Sequence, residues 1–135
     1  VAAIQTLKEM EKRKSWIKIS KLGKFFRSEL KKIAYENKIK ININGLLAIP
    51  IFSIQNDKKN IYKTFITQEM LKNGFIINNA VYISTAHSEK IFKKFFKVLK
   101  LIFKKIKRNN SKKKIKELLN GKESISSFKR LNLDN

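Results

Sequence analysis

Apolar residues along this chain change their period repeatedly, and each change marks an element. In residues 1–14, Ala3, Ile4, Leu7 and Met10 recur at three- and four-residue spacing, which predicts a helix. Ser15-Trp16 reads as a break, with Ser15 suited to cap the next helix. Ile19, Leu22, Phe26, Leu30 and Ile33 then form one stripe with lysines and Glu29 opposite. That pattern predicts an amphipathic helix ending near Asn37.

The period then drops to two. Ile39, Ile41 and Ile43 alternate with Lys40 and Asn42, the pattern of a half-buried strand. Asn44-Gly45 predicts a tight turn, because both residues tolerate positive φ. Residues 46–54 read as a more buried strand, with Pro50 placing it at an edge or on a bulge. A helix is predicted over 61–73, ended by Gly74. Short strands follow at 75–77 and 80–84. Ser88 should cap a long last helix, with Glu89 in its first turn. Ile91, Phe95, Leu99, Ile102 and Ile106 should face inward onto the sheet, with Lys90, Lys94, Lys97 and Lys104 outward. After a polar link beginning at Arg108, a short helix is predicted over 115–119, then a tail carrying Phe128 and Leu131. The order implies an α+β fold, a small sheet of about four strands with helices on one face.

Composition narrows the choices. The 135 residues suffice for one domain with a core, and 42% are hydrophobic, so wholesale disorder is not expected. Cysteine is absent, which excludes disulfides, thiolate metal sites and cysteine nucleophiles, and fits a reducing compartment. No apolar run approaches the ~20 residues that span a bilayer, and no signal peptide is visible; the localisation expected is cytoplasmic.

The net charge of +22 attracts polyanions, so nucleic acid and anionic membranes enter as partners to weigh. Arginine stands only at positions 13, 27, 108 and 130. Readers of phosphate and guanine use its planar fork, so the lysine excess reads first as compositional bias. The aromatics Tyr62, Phe65, Phe92, Phe95, Phe96 and Phe103 fall at core spacing rather than as a stacking platform beside cations. A small basic nucleic-acid- or anionic-membrane-binding module stays open as the alternative. The chain opens inside a helical pattern, which reads as a fragment.

Chemistry-bearing residues are few. His87 is the one histidine, and Asp57 and Asp134 are the only aspartates. Gly23, Gly45, Gly74 and Gly121 lie too far apart for a phosphate cradle. No metal-ligand cluster and no catalytic constellation is visible.

The run from Ile61 to Ile106 has an order of helix, glycine stop, two short strands, polar turn and long helix. With Gln68-Glu69-Met70-Leu71, Gly74 and Ser84-Thr85-Ala86-His87-Ser88, it resembles the C-terminal small domain of class III pyridoxal-phosphate-dependent aminotransferases, the fold-type I enzymes, in their glutamate-1-semialdehyde 2,1-aminomutase branch. The resemblance assigns residues 1–107 to that small domain, with 1–14 ending the interdomain helix, and leaves 108–135 as a basic tail. It implies a parent aminotransferase or aminomutase (an isomerase) that binds pyridoxal phosphate and works as a homodimer. The cofactor lysine and aspartate would belong to a large domain that nothing here resembles. No cofactor is therefore expected on this chain alone, and its partner would be that large domain, with no specific nucleic acid and no membrane. Ser84 and His87 are the substrate-cleft candidates. The family turn ends in threonine where this chain has Ser88, and no arginine lies there to bind a substrate carboxylate.

Overall fold

A computed structural model describes residues 1–109 and 111–125. The predictions at Phe128 and Leu131 lie outside the described residues. The elements run α1 (Ala2–Lys12), α2 (Ser15–Glu36), β1 (Ile41–Gly45), β2 (Pro50–Ile54), α3 (Ile61–Lys72), α4 (Glu89–Asn109) and α5 (Lys112–Glu117).

The architecture is α+β, but the sheet has two strands rather than about four among the described residues. β1 pairs antiparallel with β2, Ile43 opposite Phe52 and Gly45 opposite Pro50. A third segment follows the free side of β2 without becoming a regular strand. Phe52 N donates to Asn79 O at 2.9 Å, Val81 N to Pro50 O at 3.0 Å and Ile83 N to Ala48 O at 2.9 Å. Only Ile51 and Ala80 form a bridge. Residues 75–77, predicted as a strand, have no neighbour to pair with. Phe75 N is spent on Met70 O and Gly74 N on Leu71 O, each at 3.0 Å, which is the double bond of a Schellman cap with Gly74 at φ 79°. The glycine stop thus forms as predicted, and it takes the Phe75 donor away from any strand pairing.

Two local predictions shift. Ser15 does not cap α2; Lys14 holds that position in the left-handed region at φ 46°, and Ser15 is already helical. The hairpin reverses at residues 46–49 rather than at Asn44-Gly45, with Ile49 N bonded to Leu46 O at 3.1 Å. The cause lies on α2. A Cβ at Gly23 would sit 2.0 Å from Leu47 O, so only glycine lets the loop lie on the helix. Arg27 Nη2 donates to Asn44 O at 3.0 Å, to Leu46 O at 3.3 Å and also to Gly45 O. These contacts draw the turn onto α2. Pro50 needs no edge or bulge, because it is the first residue of β2.

The core lies among the helices. Phe26, Leu30, Phe65, Met70, Leu99, Phe103 and Ile115 are fully enclosed. The Phe26 ring lies 5.4 Å from Phe92, 5.6 Å from Phe95 and 5.0 Å from Phe96, distances at which aromatic pairs attract. The stripe of α4 was expected to cover the sheet. Instead α4 packs on α2, α3 and α5, while α2 and α3 contact the strands. A two-stranded hairpin is too narrow to seat three helices. Ile91, predicted inward, is 41% exposed, and Phe92, Phe96 and Phe103 take the inward places.

α4 continues to Asn109, and the short helix begins at Lys112, earlier than predicted. Its Ile115 is buried against the core, and α3 fastens the segment beyond α5. Gln68 Nε2 donates to Leu118 O at 3.0 Å, and Thr64 Oγ1 accepts from Ser124 N at 2.9 Å. α1 buries none of its residues.

Candidate functional site

The turn between the third backbone segment and α4 brings Ser84 and His87 together. His87 Nδ1 accepts from Ser84 N at 2.9 Å and lies 3.1 Å from Ser84 Oγ. His87 N in turn donates to Ser84 O at 3.2 Å. Since Nδ1 accepts a backbone N–H, the neutral ring carries its proton on Nε2. The ring stacks on Phe92 at 5.4 Å and 10°. Ser88 begins α4 as predicted: its carbonyl accepts Phe92 N at 3.1 Å, and its Oγ lies 3.4 Å from Ile91 N.

The two residues open on different hollows. His87 lines an apolar one of about 240 Å³ with Phe75, Val81, Tyr82 and Phe92. Ser84 lines another of about 370 Å³ between α1 and α2, beside Met10 and Arg13. Sequence reading missed Lys18, whose Nζ donates to Thr85 O at 2.6 Å and ties the turn to α2. The partners lie 67 positions apart, and no local signal marks a lysine for a carbonyl so distant.

The turn can position a neutral imidazole and present its Nε2–H. It holds no nucleophile–base–carboxylate relay, because His87 Nδ1 is already occupied. Among the described residues no three metal-ligating side chains cluster. The fit to pyridoxal phosphate is equally plain. A Schiff-base lysine needs a desolvated position that depresses its pKa, and the only buried polar or charged residues among those described are Ser15, Asn37 and Glu69. No described lysine is buried in the way such a Schiff-base lysine would be.

No family model matches this chain, and no curated protein matches it. A solved structure does: the PLP internal aldimine form of the FumI protein of Sphingopyxis sp. MTA144. The TM-score is 0.73 at 17% sequence identity, over 81% of this chain and 27% of that one. This chain therefore has the fold of a segment of a PLP protein, and it spans about a quarter of that protein's length. No helix among the described residues is long and apolar enough to cross a membrane.

Proposed function

We propose that this chain is the C-terminal small domain of a class III pyridoxal-phosphate-dependent aminotransferase, similar to glutamate-1-semialdehyde aminomutase. Its role is to shape the substrate cleft against a large domain that carries the cofactor, in a homodimeric cytoplasmic enzyme. The observation that carries this reading is the shared fold with a PLP protein over most of the chain. The Ser84–His87 turn supports it, since the hydrogen bonds that fix the ring leave Nε2–H to face a substrate.

The packing leaves the basic-module alternative resting on charge alone. Phe65, Phe92, Phe95, Phe96 and Phe103 are buried, whereas base stacking uses exposed rings.

The reading frame that encodes the chain tests the class directly. A cofactor-lysine domain joined ahead of Val1 supports the proposal, and an unrelated neighbour overturns it. In such an enzyme, His87→Ala should raise KM for the amino substrate by about tenfold if one hydrogen bond of ~1.4 kcal/mol is lost. Unchanged KM and kcat would remove His87 from the cleft.

A further inference from the structure

A chemically mixed cavity lies away from the Ser84–His87 turn. It holds about 510 Å³ between β2, the loop 55–60, the start of α3 and the Asn78-Asn79 corner. That volume falls in the range of small-molecule sites. Phe52, Ile54 and Ile66 supply apolar wall, and polar groups surround them.

Those polar groups are unevenly divided between donors and acceptors. Asn42 Oδ1 already accepts Gln55 Nε2 at 3.0 Å, and Asn78 Oδ1 accepts Asn79 N at 2.8 Å. Both side chains therefore keep their NH2 groups to donate. Lys58 and Lys63 also line the cavity and can only donate. Against them stands Asp57. Its Oδ2 accepts Lys63 N at 2.9 Å at the start of α3, and its Oδ1 is buried with no partner among the described residues. A buried carboxylate oxygen without a donor costs free energy until something donates to it.

We infer that this cavity is a binding site for a small hydroxylated anion of the sugar-phosphate class. The anionic group meets Lys58, Lys63 and the NH2 groups of Asn42 and Asn78. A ligand hydroxyl donates to Asp57 Oδ1, and the carbon skeleton lies on Phe52 and Ile66. Inorganic phosphate satisfies the cations, and its P–OH can donate to Asp57, but it leaves the apolar wall of Phe52 and Ile66 uncovered. A neutral sugar satisfies Asp57 but leaves two lysines without an anion. The cavity shares no residue with the Ser84–His87 turn, so the inference stands or falls apart from the aminotransferase reading.

The test titrates the isotope-labelled 135-residue chain with glucose 6-phosphate, glucose and inorganic phosphate, following side-chain amide signals by NMR. Glucose 6-phosphate should move the Asn42 and Asn78 NH2 signals and bind about tenfold or more tighter than either control. Asn78→Ala and Lys63→Gln should each weaken it by about tenfold, whereas Lys97→Ala on α4 should not. Asn78 is exposed, so its truncation tests binding in a folded chain; if Lys63→Gln fails to fold, the wild-type shift map and Asn78→Ala decide. Inorganic phosphate or glucose binding as tightly as glucose 6-phosphate overturns the inference. So do shifts spread over the α4 lysines, or no shift at all.

Discussion

Glu69 of α3 and Lys105 of α4 meet at 2.6 Å across the helix interface. Glu69 is only 7% exposed, and Lys72 donates to its other oxygen at 2.8 Å. Burial alone would raise its pKa. The hydrogen bonds from Lys105, Lys72 and Gln68 outweigh that and hold it at about 2, below the ordinary 4.5. A carboxylate with a depressed folded pKa contributes stability that is present above its unfolded pKa and lost as pH falls through the folded one. The melting temperature should therefore fall between about pH 4.5 and 2, with up to ~3 kcal/mol at stake. In Glu69→Gln that acid limb should flatten, and stability at pH 7 should drop by about 1–3 kcal/mol. An unchanged acid limb would assign it to other carboxylates.

Phe95 is 6% exposed and touches the rings of Phe26, Phe75 and Phe96. Phe95→Ala should cost about 3–5 kcal/mol in denaturant melts. Lys97→Ala, on the exposed face of α4, should change stability by no more than about 0.5 kcal/mol. A silent Phe95→Ala, with helix induced in the wild type by lipid vesicles, would mean the stripe faces a membrane.

Two glycines should respond differently to alanine. At Gly23 the new Cβ meets Leu47 O at 2.0 Å, so the hairpin loop must lift from α2. The cost should be about 1–3 kcal/mol, despite alanine's better helix propensity. At Gly74 nothing lies within 4 Å, and the cost is the backbone strain alone, about 1–2 kcal/mol. Chemical shifts of the 46–49 loop should move in Gly23→Ala and stay in Gly74→Ala.

The chain alone should show no transaminase activity. Incubation with pyridoxal phosphate and borohydride should label exposed lysines sparsely, because none among the described residues is buried. Stoichiometric labelling of one lysine, with turnover, would contradict both this and the missing-domain proposal.

Affinity for DNA should be sequence-independent and steeply dependent on salt. With about six phosphates engaged, binding should weaken by roughly 10³-fold between 50 and 200 mM salt. Tight, sequence-selective binding at physiological salt would revive the basic-module alternative.

Helices were legible in the sequence where a single stripe settles them. Leu22, Phe26, Leu30 and Ile33 are all buried as their spacing implies, and Gly74 ends α3 as expected. The sheet was less legible. Residues 75–77 and 80–84 read as short strands, but the first lacks a pairing neighbour and gives its Phe75 donor to the cap, while the second follows β2 through only a few bonds. The α4 stripe revealed that it was buried and not against what, because helical spacing carries no information about the partner surface. The hairpin turn went astray because Arg27 and Gly23, on another element, decide it. For the site, the pairing of Ser84 with His87 follows from a local motif. The cavity at Asn42, Asp57 and Asn78 joins three separated segments, which no local spacing in the sequence connects.

Arg27 bonds three successive carbonyls with one guanidinium nitrogen. The ammonium of a lysine would sit on a freely turning stem, without the flat fork that places this nitrogen. In a chain whose cations are nearly all lysine, this corner uses the planar fork of an arginine instead. The corner of the hairpin is a position where geometry, rather than charge, selects the letter.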